Sequence, residues 1–419
     1  MQKIIHYSLI LVGIVFLFSC KKKEDEKKLP PGVEIINDSY VINGDATWPD
    51  VYTDDRPDYE FDNYLTIEGR LTIAPGVKVL FKKSSAVNPN TKMIINGIII
   101  ANGTSSQPIE FSGDGNVDGF QGVNINSKVD LENQFTYCIF DQKLSTSSGA
   151  PYIMGMLNME PSRSNWVNVK VENCIFKNCT YALRVLAGVK LTSFENNTIT
   201  QNLSPNYCSI FNINVLDKVN NSNSFTNNTI QRIGIGTWND GLGHDSNMDL
   251  DAKIHNVGCD YVITGELGGS NGGKVNFREG GLTIEPGITF YFGAYSFIFG
   301  QYKYIKAIGT PSQRIVFKGL TNENNYWNGV YIDCYDQFKS PEQSRFEYCD
   351  FYNGGLNSTA WGSFGLGFKS QFYYLYSQFN SSYPAFFVQN CSFNQCNLQL
   401  YATDAAYINQ DYTTSNQFN

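Results

Sequence analysis

The chain carries one sequence program twice, and that repetition limits what it can fold into more than any other feature. Residues 68–76 read EGRLTIAPG and residues 279–287 read EGGLTIEPG, seven identities in nine at a shift of 211. The match continues as ANGTSSQPIEF (101–111) against AIGTPSQRIVF (307–317), and as FQGVNI (120–125) against WNGVYI (327–332). It closes with QFTYCIF (134–140) against RFEYCDF (345–351), again at 211. Upstream, YVING (40–44) pairs with YVITG (261–265) at a shift of 221. A chain of 419 residues is too long for one ordinary core, so it must divide or grow along an axis. Distant copies that are themselves built of smaller periods mark growth by repetition, a solenoid. The two copies occupy residues 35–253 and 254–419.

The smaller periods are those of strands. Leu71, Ile73, Val77, Val79 and Phe81 set apolar side chains on one face, and such segments end in Gly, Pro, Asn or Ser. No stretch of the body carries a sustained helical stripe with caps, which leaves an all-β body. A four-residue pattern recurs as YCIF (137–140), NCIF (173–176), NNTI (196–199), NNTI (227–230), YCDF (348–351) and NCSF (390–393). Its Cys or Asn and its last residue lie two apart and face the same side of a strand. With that side inward, Phe140, Phe176, Ile199, Ile230, Phe351 and Phe393 are expected to stack in a column, coil on coil at about 4.8 Å. Asn197 and Asn228 stand where Cys138, Cys174, Cys349 and Cys391 stand in the other repeats. An inward Asn at a turn can bond its amide to backbone groups of neighbouring coils and so form a ladder.

Composition, at 42% hydrophobic and 17% charged, is too apolar for disorder and suits a folded protein rich in strands and turns. The formal net charge is −8, although the first 34 residues hold six lysines against four acids. The body is therefore more acidic than the whole chain, which disfavours nucleic acid as a partner.

The first residues read as an address. Lys3 precedes an apolar run from Ile4 to Phe18, and Ser19 stands just before Cys20, the order of an export signal too short to span a bilayer. The segment LFSC (17–20) resembles the lipobox of bacterial lipoproteins. The resemblance implies a signal peptide over 1–19, lipid on Cys20, and anchoring to a membrane by its acyl chains. Residues 20–34, with KKKEDEKK and then Pro30 and Pro31, form a charged flexible tether. Lys23, Glu24 and Asp25 also resemble the surface-export signal of lipoproteins of the Bacteroidota, which implies an outer-membrane protein on the cell surface.

The body, over about 35–419, resembles the right-handed parallel β-helix repeat proteins, in the superfamily that includes pectate lyases and polygalacturonases. The pairing of LTIxPG with GTxxxPI is similar to that in β-helix lipoproteins of the Bacteroidota. The fold expected is all-β, a right-handed parallel β-helix with an internal duplication; the resemblance carries scaffold and not activity. The Gly-His-Gly and Arg-Ile-Lys segments of polygalacturonases have no counterpart, since Gly243, His244 and Asp245 break the first and the second is missing. Of ten cysteines, Cys20 is assigned to lipid. The rest read as small buried thiols packed coil on coil, with a disulfide between stacked neighbours such as Cys138 and Cys174 as the alternative. Cys179 and Cys396 each follow a pattern Phe by three residues, and no spacing suits zinc.

Two segments are candidates for chemistry. In WNDGLGHDSNMDLD (238–251), Asp240, His244, Asp245, Asp249 and Asp251 supply oxygen ligands suited to calcium or an acid/base group, against the plain reading of an acidic linker between copies. In the aromatic stretch from Trp361 to Phe387, Trp361 and Tyr373 are candidate sugar-stacking residues, against core packing for the remainder. Neither is a catalytic constellation. The function expected is a non-catalytic surface lipoprotein binding glycan or protein, or serving a structural envelope role. The alternative is a polysaccharide lyase or glycoside hydrolase acting on an extended polymer. Replacing Cys20 with Ser is expected to abolish incorporation of radiolabelled fatty acid and to release the protein from membranes, whereas equal labelling of both proteins would remove the lipid assignment.

Overall fold

A computed structural model describes residues 35–36, 40–82, 91–115, 120–127, 131–144, 155–159, 167–186, 188–236, 247–248, 251–263, 274–277, 281–301, 304–323, 326–333, 344–355, 364–369, 386–396, 398–402 and 413–419. Over these residues the fold is a right-handed parallel β-helix with an internal duplication. Short strands follow one another around the axis, and each pairs in parallel with strands one coil before and after. The described strands form a long sheet of 14 strands, an eight-stranded sheet, two six-stranded sheets and a five-stranded sheet. The long sheet runs through both copies, while the second six-stranded sheet and the five-stranded sheet start at Asn247–Met248 and Ala252–Ile254, at the junction. One apolar cluster fills the interior from Ile42 to Cys396, so the junction near residue 253 does not interrupt the core.

Every coil must turn without stranding backbone groups, and both copies solve this identically. In LTIAPG and LTIEPG the glycines take positive φ, +88° at Gly76 and +81° at Gly287, where a side chain would be strained. Gly76 N–H donates to Gln107 O and Gly287 N–H to Gln313 O, both at 3.1 Å. In the following GT turn, Thr104 Oγ1 accepts from Gln107 N and Thr310 Oγ1 from Gln313 N, both at 3.0 Å. Gly103 and Gly309 lie against the Tyr137 and Tyr348 carbonyls, where a Cβ would come within 2.6 and 2.7 Å.

The recurring four-residue pattern has a physical cause. Its first residue is left-handed: Tyr137, Asn173, Asn196, Tyr348 and Asn390 all have φ between 49° and 56°. Asn tolerates that region best of the non-glycine residues. The next residue points inward and donates to the carbonyl of the preceding coil. Cys138 Sγ donates to Ala101 O (3.3 Å), Cys174 Sγ to Phe135 O (3.4 Å) and Asn197 Nδ2 to Val171 O (3.0 Å), and Asn223 Nδ2, which no left-handed residue precedes, donates likewise to Phe194 O (2.9 Å). Those carbonyls belong to residues in register on successive strands. In the second copy Cys349 bonds Ala307 O (3.3 Å), Cys391 bonds Phe346 O (3.4 Å) and Asn416 bonds Val388 O (3.0 Å). Asn does one thing more than Cys: Asn197 Oδ1 accepts from Cys174 N and Asn416 Oδ1 from Cys391 N. The eight described cysteines are buried free thiols, with no disulfide between Cys138 and Cys174. Burial pushes the Cys138, Cys349 and Cys396 thiols up, to about 11 for Cys396 and well above the usual range for the other two, so these three stay protonated and serve as donors.

The expected column of aromatic rings forms, with two corrections. Ile230 is not in it. Ile199 pairs with Phe225, because Asn223 and not Asn228 registers on Asn197. Asn228 instead continues a second ladder at the far end of the strand, accepting from Asn202 at 2.9 Å and capped by Gln231 at 3.0 Å. The second correction is that there are two columns. Phe111, Phe140 and Phe176 stack on the eight-stranded sheet at 5.1 and 4.7 Å. Phe290, Phe317, Phe351, Phe393 and Phe418 stack on the long sheet at 4.9–5.4 Å. Each fully buried ring contributes at most about 4–6 kcal/mol from area removed from water.

Two columns arise because the second copy is displaced by one face. The matched blocks 109–111 and 315–317 lie on the eight-stranded sheet and the long sheet respectively, as do 138–140 and 349–351. Phe120–Ile125 lies on the long sheet, but its match Gly329–Asp333 lies on the second-copy six-stranded sheet. The strands of the pair at the odd shift of 221, Tyr40–Ile42 and Asp260–Ile263, both lie on the long sheet and so fall outside this one-face displacement. A 3-10 segment, Ile213–Lys218, packs against Val189–Glu195 before it and Ala252–Ile254 after it, where the strand stacking changes. Asn197→Ala strands the Cys174 N–H and the Val171 carbonyl and is expected to cost about 1–3 kcal/mol for each. Asn197→Cys restores the donor alone and is expected to cost less. Urea denaturation ranks the two, and equal losses would show that donation to Val171 contributes nothing.

Candidate functional site

Of the candidate site residues drawn from the sequence, only Asp251 lies among the described residues. It is exposed, and its Oδ1 accepts from Gly281 N at 2.7 Å, tying one coil to the next. Asp240, His244, Asp245 and Asp249, the stacking candidates Trp361 and Tyr373, and the lipidation candidate Cys20 lie outside the described residues. Among the described residues, no three His, Cys, Asp or Glu side chains are grouped to hold a metal ion.

Many of the acids serve the scaffold. Asp58 is buried and accepts from Val51 N, Tyr52 N and Lys78 N at 2.7–2.8 Å. Asp54 pairs with Arg56, and Asp55 with Lys78. Arg314 grips Asp350 with two nitrogens (2.7 and 2.8 Å) and also donates to Asn390 O at 2.8 Å, while Ser392 Oγ donates to the same carboxylate at 2.5 Å. The Asp350 carboxylate holds the Arg314 guanidinium above its usual range.

The outer face of the long sheet is different. Register aligns one outward row along the axis through Asn124, Asn158, Arg184, Ile210, Gly234, Val262, Tyr291, Lys318, Tyr352 and Asn394. Its early part is closed. Asn158 Nδ2 donates to Asn124 Oδ1 at 2.8 Å in a buried pair, and Tyr181, Tyr207, Ile210 and Val262 form a second apolar cluster on this side. Beyond Val262 the row opens. Tyr291 packs against that cluster and carries two cations on its ring, Arg232 at 3.9 Å and Lys318 at 4.6 Å from the centroid. Such contacts hold a cation over the ring by its quadrupole, about 0.5–2 kcal/mol each. One coil further on, Tyr352 is 36% exposed.

Asp260 completes the group. It pairs in register with Arg232, hydrogen-bonds Thr289, and feels both Arg232 and Lys318. Burial nevertheless dominates and holds its carboxyl above the ordinary value of 3.8. The cluster thus sets two cations and one reluctant anion around an aromatic ring. Chemically it can receive an acidic group at the cations flanking the Tyr291 ring, with tyrosine edges at hand for a sugar or an amide. Sequence reasoning missed Arg232, Asp260, Tyr291, Lys318 and Tyr352, because they are single residues at alternate positions of strands more than 20 residues apart. The signal was the polar member of RIGIG, DYVI, TFYF, IVFKG and CDFY, which converges only once the register is known.

Compared with family models, with curated proteins and with solved structures, the chain gives no match.

Because the folded state disfavours ionised Asp260, its contribution to stability is fully present below the ordinary carboxyl value and is lost as pH rises through the raised one. Asp260→Asn is therefore expected to gain stability relative to the parent between pH 4 and pH 7, read as urea midpoints at the two values. An unchanged difference between the proteins at both pH values would refute the raised carboxyl.

Proposed function

We propose that the chain is an exported lipoprotein, anchored in the outer membrane through lipid on Cys20, whose β-helix presents a non-catalytic binding face for glycan or surface protein. The lipobox-like LFSC and the charged tether over 20–34 support the anchoring, and the resemblance to β-helix lipoproteins of the Bacteroidota supports the surface location. The binding reading is carried by one observation: the outward row of the long sheet, which is largely buried over its early part and beyond Val262 carries half-buried Tyr291 and Lys318 and then exposed Tyr352 on successive coils. Side chains aligned along an axis at about 4.8 Å per coil suit an extended ligand that makes the same kind of contact repeatedly. The acids that pair with Arg56, Lys78 and Arg314 or cap backbone N–H groups are committed to the scaffold, which favours binding over acid/base chemistry at those positions.

Full-length protein in detergent, titrated against a panel of fluorescent glycans and against outer-surface proteins, is expected to show saturable binding without new reducing ends or unsaturated products. Turnover of any polysaccharide, lost on replacing a single acid or base, would replace this reading with the lyase or hydrolase alternative.

A further inference from the structure

The duplication supplies an internal comparison of what packing requires and what it does not. Inward residues of the matched strands are alike in both copies: Phe81 and Phe292, Phe111 and Phe317, Cys138 and Cys349, and Phe140 and Phe351 are all fully buried. Phe81 stacks on Phe120, and Phe292 on Trp327, both at 4.0 Å. Outward residues on the same strands diverge. Where the first copy has Leu80, Ser112 and Asp141 in register, the second has Tyr291, Lys318 and Tyr352. In the first copy this face is a set of ordinary ion pairs, Glu60 with Lys82 and Asp141 with Lys177. Tyr291 meets the apolar cluster of Tyr181, Tyr207, Ile210 and Val262, so part of the change at this place is packing, whereas Lys318 over its ring and the exposed Tyr352 are outward changes that this cluster does not use. They also put positive charge forward on a chain of net charge −8.

We infer that Arg232, Tyr291 and Lys318 form a clamp for an acidic group, a carboxylate or a sulfate, on a glycan lying along the helix axis. This rests on the binding reading above and names the ligand chemistry for it. The Tyr291 ring holds both cations in place, so little side-chain freedom is lost when an oxyanion arrives, and a guanidinium can meet two of its oxygens at once. Asp260 balances one of the two charges in the unliganded protein, which leaves a net positive site. Tyr352, one coil beyond Lys318, offers an exposed ring to the next sugar.

The test is calorimetric titration of the full-length protein in detergent with oligogalacturonate, with dextran sulfate oligosaccharide, with neutral dextran and with inorganic sulfate. Both acidic glycans are expected to bind, less tightly at high salt, and neutral dextran and free sulfate far more weakly. The double variant Tyr291→Leu with Lys318→Ser, which keeps an apolar side chain against the Tyr181 cluster, is checked for folding by its urea midpoint. It is expected to lose affinity for the acidic glycans by tenfold or more, while Lys306→Ser on the five-stranded sheet leaves it unchanged. Equal affinity in the double variant and the parent, no binding of either acidic glycan, or equally tight binding of free sulfate would each overturn the clamp. Binding of a neutral glycan or a protein that ignores the double variant would overturn the clamp yet leave the broader binding reading standing.

Discussion

The structure depends on one interaction repeated up the axis: an inward side chain at the start of a strand donating to a backbone carbonyl of the coil before it. The left-handed residue ahead of it turns the chain, and the donor satisfies a carbonyl that the turn would otherwise strand in an apolar interior. Asn and Cys fill this place for different reasons. Asn both donates and accepts, so it links two coils. A thiol donates weakly, yet it is small, apolar and kept protonated by burial, so it costs little beside a column of phenylalanines. The ladder also sets register, since a slip of one residue would move the donor outside and the ring column with it.

Much of this was legible in the sequence because the period of two and the turn residues act locally. The all-β solenoid, the inward Cys and Asn, and most of the ring column follow from spacing alone. The failures share a cause. Ile230 matched the pattern by letters, but the residue one coil above Ile199 is Phe225, because coil length in this stretch is set by Asn223 and Asn228 serving two different ladders. Pattern matching does not know which turn a residue belongs to; only the pairing does.

The candidate site was less legible for a deeper reason. The sequence draws attention to clusters contiguous in the chain, such as the acids at 238–251, of which Asp251 has an ordinary structural partner in the Gly281 N–H. A solenoid builds its surfaces from residues one coil apart. Arg232 and Lys318 are separated by 86 positions in the chain and meet on one tyrosine ring. The polar residue in TFYF or IVFKG is unremarkable until the register stacks them.

The displacement of the second copy by one face has a consequence for how such a molecule diversifies. Had the duplicate been appended in phase, descendants of the same ancestral surface would have formed one continuous stripe, under shared pressure to match their neighbours. Starting the thread afresh a fraction of a turn later sets each inherited stripe beside an unrelated one, joined through the long sheet. A helix of this kind acquires a new chemical neighbourhood from a phase slip at its seam, before any single substitution has altered a surface residue.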